Sequence, residues 1–397
     1  MTGSPPVTAT SGVGLGARGA AALTLIVALA LVAMVGGCGG DGGASASGLR
    51  SGPAAFADES YAELATDGEE ALWLAVAGYT RDREFGLRVF ERDGAGWAEL
   101  PAPPGEVSSD VPISFVDPGS GGSQGPCLGY SVGLAPKPAV VCLVADQWRA
   151  ERLPRLGRGQ LVEIGREGGD LLALATELRG KRGRYRVLRE RERQWIQTPP
   201  VLAPAAVARL AIQPERDSAS PAFGLATQGR SAQHYVFELQ SGDWQKLRPT
   251  VTARGAGPLV GGPVVLPGRI LYPVNEASGE PWSFSVQSAR IGSTRAKSVG
   301  VSSGSGNAQG RLDLAGGAVW ATWQEHDPRA DGRFQASIYA AEISPTGRVR
   351  GKIRLWRGIS IGPGSTQVIE FQGRPVALYM RASDDGRGLQ AAVRTLR

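Results

Sequence analysis

Histidine occurs twice in the 397 residues, methionine three times, cysteine three times and lysine five times. So few imidazoles and thiols leave little from which to build a metal centre. There is no HExxH and no CxxC, and neither His234 nor His326 has a ligand partner at useful spacing, so no metal and no cofactor is expected. A Ser-His-Asp mechanism is short of material for the same reason. Gly129-Tyr-Ser131-Val-Gly133 and Gly358-Ile-Ser360-Ile-Gly362 both match G-x-S-x-G, an elbow that needs a strand, a sharp turn and a helix. Ser131 falls inside a strand-like run and Ser360 is followed by Pro363-Gly364, so neither reads as a nucleophile, and no catalytic residue is assigned. His234 reads as opening a strand, His326 as part of a turn.

Charge is sparse as well. Asp, Glu, Lys and Arg make up 20% of the chain and leave a net +6, too mild for a dedicated nucleic-acid binder. Beyond residue 55 no amphipathic helical window of useful length occurs. Instead 57 glycines and 27 prolines punctuate short strand-like runs, the pattern of an all-β chain. With 42% hydrophobic residues the chain can bury a large core, which excludes wholesale disorder.

Only one long apolar run is present, Ala20 to Val35, and it leads into Val35-Gly36-Gly37-Cys38. It falls short of the roughly 20 residues of a spanning helix and follows the pattern of a signal peptide. Val-Gly-Gly-Cys resembles the lipobox of bacterial lipoproteins. That resemblance implies that Cys38 is lipidated on sulfur and begins the mature chain, which then sits at the extracytoplasmic face of the cell membrane. The expected organisation is a signal peptide over 1–37, the lipidated cysteine with a Gly/Ser tether over 38–53, and a folded region over 54–397. The alternative is an uncleaved anchor helix. Gly14-x-Gly16-x-x-Gly19 precedes the apolar run and follows no strand, so it is not a dinucleotide loop.

Cys127 and Cys142 then lie in a disulfide-permissive compartment. They flank two strand-like runs joined by Leu134 to Pro138, and a hairpin closing there brings them face to face. A disulfide is expected, with two buried thiols as the alternative.

Tryptophan recurs at Trp97, Trp148, Trp195 and Trp244, spaced by 51, 47 and 49 residues in similar frames: GWAELP, QWRAERLP, QWIQTPP and DWQKLRP. A fixed period of this length signals repeat architecture. The third copy shows the unit, four strands from Leu161 to Pro200, and the same order fits 61–101, 111–154, 206–249, 259–300 and 310–357. A seventh copy ends without a fourth strand, which residues 48–57 can supply by pairing with it and closing a ring. The reading is a single seven-bladed β-propeller, with six or eight blades and two stacked β-sandwiches as alternatives. Asp93 to Trp97, DGAGW, resembles a worn Asp-box of the sialidase-type propellers; Asp93, a glycine and Trp97 match. In that family the Asp-box is a structural turn, so the resemblance implies fold. The family's arginine triad and Tyr/Glu pair find no counterparts residue by residue.

First strands of most copies place a polar residue before an apolar one. Glu63, Glu163, Arg209, Asp313 and Glu370 are thereby expected around the central channel, as a ligand-binding collar or simply a solvated one. Carboxylates in pairs are also what a glycosidase needs. A second cluster, Glu177 to Arg193, carries five net positive charges and includes Arg179, Lys181, Arg182, Arg184 and Arg186. A basic hairpin of this kind suits anionic headgroups or an anionic wall polymer, or is a solvated face. The expected function is a membrane-anchored, extracytoplasmic, non-enzymatic binding or scaffold module. Its partners would be membrane lipid through Cys38 and an envelope protein or glycan, with no nucleic acid. The alternative is a carbohydrate-active hydrolase of sialidase-like architecture.

Overall fold

The computed structural model describes residues 54–396, apart from 57, 95, 108–112, 119–124, 133–136, 157–159, 168, 192–193, 215–219, 228–230, 255–260, 277–281, 303–306, 329–333, 360–364 and 384–388. The signal-peptide segment, Cys38, the tether and Ser360 lie outside the described residues.

Seven antiparallel sheets follow one another along the chain as the blades of a seven-bladed β-propeller. Blade 1 runs through Asp58–Thr66, Leu72–Tyr79, Phe85–Asp93 and Gly96–Glu99. Blade 2 has Ser114–Val116, Cys127–Val132, Lys137–Val144 and Gln147–Ala150. Blade 3 has Gln160–Glu167, Asp170–Arg179, Arg182–Arg191 and Gln194–Gln197, and alone among the described residues gains a fifth strand, Val201–Pro204, paired with its third. Blades 4, 5 and 6 begin on the inner strands Ala206–Leu210, Val264–Leu266 and Asn307–Ala315. Blade 7 is Thr366–Phe371, Arg374–Ala382 and Leu389–Thr395, with Ala54–Phe56 as its outer strand, paired antiparallel to Leu389–Thr395. All of these strands lie within Ser47–Arg397, one compact unit.

Each second strand is sandwiched between two neighbouring sheets, which explains why its sequence reads as a continuous apolar run. Side chains alternate across a strand, so Leu72, Leu74 and Val76 enter the cluster shared with blade 7 while Trp73, Ala75 and Ala77 enter the one shared with blade 2. Among the described residues seven apolar clusters occur, one at each interface between neighbouring blades. Each large aliphatic side chain in them contributes about 1.5–3 kcal/mol.

The fifty-residue tryptophan period has a direct cause. Trp148 and Trp244, on the outer strands of blades 2 and 4, donate their indole N–H to the carbonyls of Pro101 and Pro199, each at 2.7 Å, in the segment leaving the preceding blade. Trp195 reaches Glu151 in the same way, and Trp97 packs on the cluster between blades 7 and 1. Every such residue clips its blade to the one before. The cysteines do face each other: Cys127 and Cys142 are register partners in adjacent strands and form a disulfide with Cα atoms 4.1 Å apart. His326 differs from expectation. It lies within the strand Ala318–Pro328, opposite Ala336, because pairing with the next strand carries the ladder through the polar stretch.

Candidate functional site: the inner collar and the blade 3 hairpin

An inner strand pairs on one side only, so its other edge presents unpaired N–H and C=O groups to the axis. In this ring polar side chains of the neighbouring blade satisfy them. Glu63 of blade 1 accepts from the Phe115 N–H of blade 2 at 2.7 Å. Ser114 of blade 2 accepts from the Ile164 N–H at 2.9 Å and donates to the Ile164 carbonyl at 3.0 Å. Glu163 of blade 3 accepts from the Leu210 N–H of blade 4. Asp313 of blade 6 accepts from Val368 of blade 7 at 2.9 Å, and Gln367 of blade 7 accepts from Leu64 of blade 1 at 2.7 Å. Between blades 5 and 6 the stitch comes from a second strand, where the Asn275 side chain exchanges two hydrogen bonds with the Gly310 main chain, at 2.8 and 3.0 Å.

The dipeptide of a polar then an apolar residue is thus a joint: the polar side chain of one blade holds the amide of the apolar residue in the next. Gln367-Val368 is blade 7's copy, not Glu370-Phe371. Glu370 lies apart, exposed, accepting from the Gly316 N–H in a blade 6 turn at 2.8 Å. Arg209 lies on the inner strand of blade 4, where it donates to the Ala208 carbonyl at 3.2 Å and sits in the field of Glu163.

Arg311 was not anticipated, although it precedes Asp313 by two residues and so shares its face of the strand. Its guanidinium lies 2.8 Å from Asp313 and 3.9 Å from Glu63, and its side chain is 14% exposed. Three carboxylates, Glu63, Glu163 and Asp313, therefore share two guanidiniums, Arg209 and Arg311. Burial raises all three carboxyl groups, against the opposing pull of the arginines. Glu63 is pushed up to about 7, burial outweighing Arg311 and the Phe115 amide, with Glu163 adding a smaller push upward. Chemically the collar offers a group that exchanges a proton near neutrality, flanked by carboxylates that are already hydrogen-bonded. Among the described residues no three His, Cys, Asp or Glu side chains are placed to hold a metal ion. Burial drives His234 down to about 4, so it stays neutral at pH 7.

In the second cluster Arg179 ends the second strand of blade 3, Lys181 lies in the turn, and Arg182, Arg184 and Arg186 follow on the third strand. Register pairs Arg179 with Arg182, Glu177 with Arg184 and Ala175 with Arg186, which puts these residues on one face of the sheet. Glu177 binds the exposed Arg179 at 2.6 Å, and that contact holds its carboxyl below the usual range.

No family model matches the chain, and no curated protein matches it. Among solved structures it is similar to a polysaccharide lyase, an ulvan lyase bound to -[GlcA(1-4)Rha3S]-, with 9% identity, a TM-score of 0.53, and coverage of 87% of this chain and 94% of that one. Polysaccharide lyase Uly1 aligns with 12% identity, a TM-score of 0.49, and coverage of 82% and 88%. A puromycin-hydrolysing peptidase of Mycobacterium tuberculosis aligns with 10% identity and a TM-score of 0.42 over 80% of this chain, which spans 57% of the peptidase's length. At these identities the likeness is one of fold: a seven-bladed β-propeller.

Proposed function

We propose that this chain is a non-enzymatic binding module of the bacterial envelope, tethered through Cys38 and presenting its ring to a glycan or protein partner. The observation that carries the non-enzymatic part is the use made of the inner carboxylates. Glu63, Glu163 and Asp313 each commit one carboxylate oxygen to a backbone amide of the next blade, and Asp313 gives its other oxygen to Arg311, so these side chains serve as joints of the ring. The lyase likeness supports a glycan as the partner class. The test is to incubate the Ser47–Arg397 chain with acidic and neutral polysaccharides, following retention on immobilised polymer and the release of new chain ends. Retention without cleavage is expected, and sustained release of chain ends would overturn the reading. For the tether, a Cys38→Ala protein should leave the membrane fraction; if it stays, the tether is wrong.

One observation favours the second reading, a carbohydrate-active hydrolase: Glu63 holds a proton up to about pH 7 with Glu163 nearby, as a general acid would. That reading requires cleavage that fades above pH 7 and is abolished by Glu63→Gln.

A further inference from the structure

Four large apolar side chains are conspicuously exposed among the described residues, and three of them, Leu178, Ile196 and Leu202, belong to blade 3. Two of these flank the arginine cluster. Leu178 is 56% exposed at the end of the second strand, and Leu202 is 74% exposed on the extra fifth strand, in register with Arg184. Leu178 pairs with Gly183 and Leu202 with the next residue along, so the two leucines stand on opposite faces of the same tip. The cations Arg179, Arg182 and Arg184 share Leu202's face, and Lys181 occupies the turn.

The tip is also held in place. The fifth strand pairs with Arg182, Gly183, Arg184 and Tyr185, the Ala205 N–H donates to the Lys181 carbonyl at 2.9 Å, and the Tyr185 hydroxyl donates to Pro204 at 3.0 Å. Among the described residues no other blade carries such a strand. We infer that the tip of blade 3 docks edge-on into the headgroup layer of an anionic lipid bilayer. Its arginines contact headgroup phosphates and Leu178 and Leu202 enter the acyl boundary. Charge complementarity supplies the attraction, and the leucines select lipid over a dissolved polyanion, which gives an apolar side chain nothing to enter. The edge-on geometry explains why both faces carry a leucine.

The Ser47–Arg397 chain contains every strand of the ring and lacks Cys38, so the result is independent of the tether. It is sedimented with vesicles of phosphatidylcholine alone and of phosphatidylcholine with phosphatidylglycerol. Binding is expected only with phosphatidylglycerol. Arg182→Gln with Arg184→Gln should weaken it about tenfold or more. Leu178→Ser with Leu202→Ser should weaken it several-fold at unchanged charge. Because all four side chains are exposed, melting temperatures should stay at the parent value. A Leu202→Trp chain gives a second readout: its added fluorescence should shift to the blue with phosphatidylglycerol vesicles. Three results would overturn the inference: no binding to anionic vesicles, binding indifferent to the leucines, or retention by soluble dextran sulfate that matches the vesicles and depends on the arginines alone. The last would mark the tip as a polyanion site.

Discussion

The joint between blades 4 and 5 differs from its neighbours. Blades 1 to 4, and 6 through 7 back to 1, are sewn by side chains reaching across to the next inner strand. Among the described residues, the inner edges of blades 4 and 5 are joined by main chain: the Ile212 N–H donates to the Pro263 carbonyl at 2.8 Å, and the Val265 N–H to the Ile212 carbonyl at 2.9 Å. Such an approach is open only where no side chain intervenes, and a Cβ on Gly262 would stand 1.8 Å from the Leu210 carbonyl oxygen. The comparison teaches that ring closure needs the inner-edge amides satisfied and is indifferent to what satisfies them. Carboxylate, hydroxyl, carboxamide and peptide carbonyl all serve. The collar's charges are therefore a property added to its stitching.

Gly262→Ala tests the main-chain joint hardest. With backbone on both sides of the clash nothing can yield cheaply, and a loss of about 4–5 kcal/mol in denaturant unfolding is expected, the top of the range for one substitution. A chain that keeps its parental midpoint would show the joint to be pliable. Next comes Arg311→Met, which leaves Glu63 and Asp313 buried without their shared counter-ion and should cost about 3–4 kcal/mol at pH 8. Protonation relieves part of that cost, so the loss should shrink at pH 5, and an equal loss at both pH values would contradict the account of the collar.

Glu63→Gln separates stitch from charge, since Gln367 already performs the same hydrogen bond with a carboxamide. Glu63 titrates higher in the folded ring than its ordinary value of 4.5. The fold therefore binds that proton more tightly than the unfolded chain does. Its contribution to stability is full below about pH 4.5 and is lost as pH rises through about 7. The substituted chain should gain about 1–2 kcal/mol at pH 8 and little at pH 5, flattening the pH profile of the melting temperature. Glu167, raised to about 7 by burial and with neither carboxylate oxygen hydrogen-bonded, titrates with the same sign and remains in both chains. Smallest is Ser114→Ala, which unpairs the buried Ile164 amide and carbonyl and should cost about 1 kcal/mol by thermal unfolding.

Much of the ring was legible in the sequence because the residues that mark the period are the ones that join the blades. Tryptophan at about fifty-residue spacing is visible since each indole must reach the blade before it. The collar was legible only in part. In Gln367-Val368-Ile369-Glu370-Phe371 two polar residues precede apolar ones, and the carboxylate looked the more functional; register puts the carboxamide at the joint. Arg311 sits one alternation away from Asp313, a signal that period-two reading contains. Asn275 left no such trace, because it reaches the axis from a second strand and so falls outside the inner-strand pattern. Nor did the sequence distinguish Leu202, which lies on a fifth strand that no repeat copy announces.

The closing strand has a mechanical consequence. Ala54–Phe56 is the outer strand of blade 7 and precedes every other strand of the ring in the chain, held by a short pairing to Gln390 and Leu389 and by the Phe56 ring buried between blades 7 and 1. Any load applied to the chain upstream of Ala54 falls on this strand before it reaches any other. Peeling it away uncovers one edge of blade 7 and withdraws Phe56 from blade 1 but breaks no ladder of the other six sheets, so under tension the molecule behaves as a clasp with a defined release point.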